Sequence, residues 1–280
     1  SITGQKIFIS WGDNDLVSNV CHLVLARLPA LARAEAPMTL DEWLSCVHAT
    51  VPSALRAQDV ELETRTADGE LVERLMGTLY AQRVEAEGAP RVRATLQVER
   101  PEYLSGAAYL VIQSQDFLQD GVYVYLPSVR RVRQVTGTFA DGALLGTSFS
   151  YYDFKPLAGA FGGSALESEG TDVIEQRPVR VLSFRPTDAD RTDYTRVRAW
   201  VDQATCLPLR MEFFEGDRVR KRLTASASAL READGQAYLS AATMEDLRDR
   251  RVTTFRSLEV QTGLPLSATL FDPQRFYRPR

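Results

Sequence analysis

From residue 58 onward, apolar and polar side chains alternate with a period of two, and turn residues interrupt the alternation at short intervals. That period sends successive side chains to opposite faces of an extended backbone, so it demands strands and argues against a helical bundle. The stretch VELETRTADGELVERLMGTLYAQRVEAEGAPRVRATLQVER reads as three strands, turned at Asp68-Gly69 and at 87–90. GAAYLVIQ (106–113), YVYLP (123–127) and RRVRQVTG (130–137) continue the meander. A looser segment, AGAFGGSALESEG at 158–170, follows. Strands then resume in VIEQRPVRVLSFRP, TRVRAWVD, LPLRMEFFEG, RVRKRLTASAS, AYLSAATMEDL and VTTFRSLEV. The pattern predicts one large, curved antiparallel sheet of about ten or eleven strands. There is no β-α-β alternation, which argues against nucleotide-binding α/β folds.

Before residue 56 the period is helical. Leu16, Val20, Leu23 and Val24 share a spacing that Pro29 ends. Thr39 as N-cap, Glu42 three residues on, and Trp43, Leu44 and Val47 predict a second helix, stopped near Pro52. Residues 1–36 read as an N-terminal helical extension. LVLARLPALARAEAP, 23–37, also resembles the end of a signal peptide, and both readings stand. No linker divides residues 37–280, which read as one domain. An apolar sheet face needs a filling, so the helices are expected to cover the concave face, with a ligand sharing that space.

Composition narrows function. Of 280 residues 44% are hydrophobic, enough for a sizeable core, and the net charge of −4 offers no basic field for nucleic acid. Cys21, Cys46 and Cys206 form no CxxC; either Cys21 pairs with Cys46 and leaves Cys206 free, or all three are buried thiols. His22 and His48 have no partners at ligand spacing, so neither a metal nor a cofactor is expected. No GxSxG, HExxH, P-loop or Cys-His signature occurs, and the carboxylates are dispersed, so an enzyme is not expected. Gly159, Gly162 and Gly163 follow no clear strand and open no helix, which makes them a flexible connection rather than a phosphate cradle. In LPLRMEFFEG, Leu207, Leu209, Met211 and Phe213 fall on one face, whereas Trp200 shares a strand face with Arg196 and Arg198. Arg130, Arg131 and Arg133 suit a solvated strand face, its aliphatic stems over apolar surface, or a contact to a protein or lipid headgroup.

YLPSVRRVRQVTG followed by LLGTSFSYYDF resembles the signature of the LolA-like outer-membrane lipoprotein-sorting proteins. There a Tyr-Leu-Pro strand leads into an arginine-rich strand and then a Gly-Thr-Asp-Phe-Ser-Tyr-Glu-Asp segment. Tyr125, Leu126, Pro127, Arg130, Arg131, Arg133, Gly146, Thr147, Phe149, Ser150, Tyr152 and Asp153 match. Ser148 stands where Asp is usual and, in one register, Tyr152 where Glu is. RVRAWVDQATCLPLRMEFFEGDRVRKRL and ERPEYLSGAAYLV are similar to further strands of the family, so the resemblance runs from about residue 40 to the C-terminus. It implies an unclosed half-barrel with helices on its concave face, working in the periplasm as a monomeric carrier of a lipid or acylated protein. It also implies peripheral membrane contact and an inner-membrane RND/MMPL-type permease as partner. The acyl chain would meet Leu126, Phe149, Tyr152, Trp200, Leu209, Met211 and Phe213. Arg130, Arg131 and Arg133 would meet a partner or headgroup, with Asp153 answering one arginine at the mouth.

Overall fold

The computed structural model describes residues 55–86, 89–113, 121–136, 142–150, 153, 165–185, 192–265 and 267–278. The chain divides into two compact units, Ser1–Met38 and Thr39–Arg280, and every described residue belongs to the second. The helices expected before residue 55, the extension over 1–36 and the pairing of Cys21 with Cys46 lie outside the described residues.

Two meanders share one sheet. The first is β1 (Leu55–Thr66), β2 (Leu71–Ala86), β3 (Ala89–Arg100), β4 (Ala108–Ile112), β5 (Gly121–Leu126) and β6 (Arg131–Gln134). The second is β7 (Ala165–Ile174), β8 (Arg177–Arg185), β9 (Arg196–Asp202), β10 (Pro208–Glu215), β11 (Arg218–Thr224), β14 (Ala241–Asp246) and β15 (Arg251–Leu264). Strands β12 (Leu230–Ala233) and β13 (Gln236–Leu239) make a separate hairpin between β11 and β14. The order is β6-β5-β4-β3-β2-β1-β15-β14-β11-β10-β9-β8-β7, with antiparallel neighbours and no closing pair. The chain thus starts at the centre, runs out to one edge at β6, crosses to the opposite edge at β7, and returns to pair β15 with β1.

Thirteen strands, rather than ten or eleven, make the sheet. VIEQRPVRVLSFRP reads as one strand but folds as two. Glu175 and Gln176, at φ 46° and 65°, form a two-residue turn without glycine, so composition gives no sign of it. Residues from Ala165 belong to β7 rather than to a loose segment. AYLSAATMEDL divides at Ser240 between the small hairpin and β14. Among the described residues there is no α-helix, only short 3-10 turns, so helical cover of a concave face is not supported there.

Register divides the sheet into two faces. One carries Val60 and Leu62 of β1, Leu75 and Ala81 of β2, Leu96 and Val98 of β3, and Tyr109 and Val111 of β4. In the other direction it continues through Met244 of β14, Met211 and Phe213 of β10, Val197 and Ala199 of β9, and Leu182 and Phe184 of β8. All of these are buried. We call this the Leu62 face.

The other, the Tyr80 face, is covered over β1–β5 by the C-terminal segment. Leu270, Phe271 and Phe276 pack on Ala57, Tyr80, Ala108 and Leu110. Alternate residues of β3 hold that segment. Thr95 Oγ1 donates to the Leu270 carbonyl (2.5 Å), Gln97 Nε2 to the Phe276 carbonyl (2.6 Å), and the Arg93 guanidinium lies 4.5 Å from the Phe271 ring centre. Tyr277 stacks on Tyr125 at 3.8 Å.

Candidate ligand face and edge surfaces

The crossover from β6 to β7 is the stretch that sets a cationic strand beside an aromatic run. Its two ends, β6 and β7, lie twelve strand spacings apart in the sheet order. Of its described residues, 142–150 and 153 reach the Leu62 face through Ser148 and Asp153. Gly146 at φ 81° and the Thr147 side chain, whose Oγ1 donates to the Leu144 carbonyl (2.8 Å), tighten the turn. Leu144 and Phe149 are buried. The Ser148 amide donates to Thr253 Oγ1 of β15 (2.8 Å), which is itself 2.8 Å from Thr64 Oγ1 of β1. Asp153 Oδ2 accepts from the Ser150 amide (2.5 Å) and from Lys221 Nζ of β11 (3.3 Å), and both ionic side chains are only 2% exposed. The partner of Asp153 is therefore a lysine on the sheet and not one of the arginines. No spacing rule links residues so far apart in sequence.

Met211 and Phe213 sit together on this face, and Phe213 is in register with Lys221. Tyr194 packs on Phe213 at 5.2 Å between ring centres. Leu126 is half-buried at the far end of the same face, in register with Arg131. Tyr152 lies outside the described residues.

Trp200 does not join that surface. It is in register with Arg210 while its neighbour Ala199 pairs with Met211, so Trp200 is on the Tyr80 face. Its Nε1 donates to Asp172 Oδ2 (3.2 Å), and the guanidinium groups of Arg198 and Arg210 lie 4.7 and 4.6 Å from the ring. Leu209, at the register shift opening β10, clusters with Trp200, Val179 and Val181 rather than with Met211. Alternation misplaces Leu209 because a bulge adds one residue and offsets the period.

Arg130, Arg131 and Arg133 are exposed. Arg131 and Arg133 lie on β6, an edge strand of four residues, and Arg130 occupies the turn before it at φ 52°. Short, charged edges resist strand addition. The opposite edge, β7, carries exposed Glu167, Glu169 and Asp172 and a register shift after Ser168.

Two buried groups carry displaced acidities. Burial lowers the Arg56 pKa to about 10, with Tyr238 opposing. Burial raises the pKa of Asp202, but the Arg177 guanidinium (2.6 and 2.8 Å) and the Thr205 hydroxyl (2.7 Å) and amide (2.9 Å) outweigh it and hold that carboxyl below its usual value. Asp202 also accepts the Cys206 amide at its carbonyl (2.9 Å). Cys206 is disulfide-bonded, which corrects the expectation that it is a free thiol. Among the described residues no His, Cys, Asp and Glu grouping is arranged to hold a metal.

An unclosed antiparallel sheet joined at its first and last strands is a LolA-like fold. Three solved structures share it: a DUF1329 family protein from Desulfovibrio piger (TM-score 0.74, 20% identity, 82% of this chain and 95% of that one); a putative outer membrane lipoprotein-sorting protein domain from Vibrio parahaemolyticus (0.73, 19%, 86% and 100%); and a LolA superfamily protein from Nitrosomonas europaea (0.62, 18%, 84% and 98%). A family model described as "-like: Uncharacterized protein" matches residues 91–278, and the chain belongs to that family. The chain is also 25% identical over 207 residues to the 3-methylmercaptopropionyl-CoA dehydrogenase of Ruegeria pomeroyi. That match covers 73% of this chain and only 31% of the enzyme.

Proposed function

We propose that the protein is a periplasmic carrier that holds the acyl chain of a lipid or lipoprotein against the Leu62 face and shuttles it from an inner-membrane RND/MMPL-type permease to the outer membrane. The observation that carries this reading is the Leu62 face itself. It presents apolar side chains on contiguous strands from β8 to β5, with Met211, Phe213, Leu126 and Phe149 among those that would meet the chain. Each methylene moved from water to such a surface contributes about 0.8 kcal/mol, enough to hold a chain and still release it to a membrane. Shuttling needs no bond-making step, in keeping with a sequence that carries no catalytic motif. The disulfide at Cys206 supports an oxidising compartment. The guarded β6 and β7 edges support a monomer, and exposed Arg130, Arg131 and Arg133 would meet the permease or lipid headgroups. The same arginine edge favours one second reading, a lipid-sensing module that regulates a protein partner.

Native mass spectrometry of gently purified protein, followed by organic extraction, tests whether the face holds lipid. The expected result is a ladder of adducts spaced by acyl-chain mass differences. A bare mass that persists after incubation with membrane lipids would overturn the carrier and the lipid-sensing module alike. Phe213→Asp puts a charge on the face and is expected to abolish the adducts in folded protein.

A further inference from the structure

Residues 142–150 and 153 bring polar groups to a face that already carries buried Lys221, Asp246, Thr64 and Thr253, and several of these groups are left unbonded. Lys221 is 1% exposed and flanked in register by Phe213 and Asp246. A lysine ammonium has three N–H donors, and one reaches Asp153 Oδ2. Asp246 is occupied, since its Oδ1 accepts the amides of Arg248 (3.1 Å) and Asp249 (3.0 Å). Asp153 Oδ1, Ser148 Oγ and Ser150 Oγ are buried and have no hydrogen-bond partner among the described residues. Buried polar side chains are bonded in the large majority of folded proteins, so three such oxygens in one six-residue stretch, beside a buried ammonium, call for a partner.

The charge balance says what kind. Lys221 and Asp153 cancel, buried Asp246 is matched by the Arg220 guanidinium (4.0 Å), and an added anion or cation would leave an uncompensated charge on a buried surface. The partner must be uncharged. It must donate to Asp153 Oδ1 and accept from Lys221, while either serine hydroxyl can do both. Alcohol groups meet each demand.

We propose that Lys221, Asp153, Ser148 and Ser150 form a headgroup site selecting uncharged, hydroxyl-bearing lipids, typified by a fatty-acid glyceryl ester, over free fatty acids. This rests on the carrier reading and deepens it by naming the cargo class.

The test is displacement of the fluorophore bis-ANS by monoolein, methyl oleate or sodium oleate, which share one acyl chain and differ at the head. The wild type is expected to bind monoolein about tenfold tighter than either competitor, the yield of two net hydrogen bonds. Ser148→Ala combined with Ser150→Ala leaves the ion pair intact and should cut that preference at least threefold. Lys221→Met with Asp153→Leu should erase it while methyl oleate still binds, because apolar replacement of a buried ion pair is commonly tolerated. Equal displacement by all three ligands in the wild type would mean that the orphan oxygens hold water only, and would sink the headgroup site alone. A preference for oleate would refute the charge argument. Failure of every ligand, methyl oleate included, would sink the carrier reading and the headgroup site with it.

Discussion

Over β1–β5 the Tyr80 face is closed by the chain's own C-terminal segment, whereas over β8–β11 arginines lie flat on the same face among its apolar side chains. In the first half the face-lining residues are Ala57, Tyr80, Leu110 and Tyr123, and a covering layer is required. In the second they are Arg196, Arg198, Arg210, Glu212 and Arg222, with Trp200 and Phe214 among them. There the cover is made of arginine side chains from the sheet itself, with Leu230 and Leu239 of the β12–β13 hairpin packed beside Trp200. Arg196 lies 4.1 Å from the Phe214 ring centre, Arg198 and Arg210 flank Trp200, and Glu212 pairs with both Arg210 and Arg222. A guanidinium on a long stem shields an aromatic ring while its own head stays wet. One sheet thus buries its aromatics by two means, a second layer of chain or a lattice of arginines.

The largest expected effect comes from breaking the layered half. Phe276 is fully buried, and Phe276→Ala should lower unfolding stability by about 3–5 kcal/mol, read from a denaturant titration and little changed between pH 4 and 8. If the C-terminal segment were a loosely laid strap, the loss would stay under about 1 kcal/mol.

Acid sensitivity should belong to the arginine-bearing half. Asp202→Asn removes one partner of a bidentate pair from a fully buried site, and about 2 kcal/mol should go at pH 7. The folded pKa of Asp202 lies below its unfolded value. Its contribution is therefore complete above the unfolded pKa of about 3.9 and disappears as pH falls through the folded one. In parallel thermal melts the gap between wild type and variant should accordingly begin to narrow below about pH 4 and close once the pH is under the folded pKa; a gap that does not narrow would assign the role of Asp202 to shape rather than charge. The smallest effect tests the arginine lattice. Trp200→Phe keeps a ring between Arg198 and Arg210 but loses the bond to Asp172, so about 1 kcal/mol is expected, again by denaturant midpoint. A loss as large as that of Phe276→Ala would show that Trp200 is packed like a layered core residue.

Legibility followed the same division. Period-two alternation placed most strands, because stretches such as β14 and residues 59–65 of β1 alternate cleanly between two environments. It failed wherever an environment was not set by period. Glu175-Gln176 turned a hairpin without glycine, and a bulge at Leu209 reversed the assignment that Met211 obeyed. Trp200 looked like a cavity residue because its cover combines two arginines, which composition marks as wet, with leucines of a hairpin far along the chain. The C-terminal FDPQRFY has no period, so nothing in it announced a cover for the Tyr80 face. At the candidate site, the 146–153 motif was visible as a motif, and Met211 and Phe213 as a face. The bond between them, Lys221 to Asp153, was not, since it spans two meanders whose juxtaposition only the strand order reveals.

The seam between β1 and β15 joins Leu55 to Leu264 and Thr66 to Arg251. Until β15 is available, β1 has an unpaired side and the two meanders have no common boundary. Most of the chain must therefore be present before its central ladder can form, and loop closure over such separations makes folding slow. A nascent chain halted before Arg251 would expose the full length of β1 as an adhesive edge. The order of strands thus sets a kinetic demand as well as a shape: something must shield β1 during synthesis, or the chain must stay unfolded until β15 has been made.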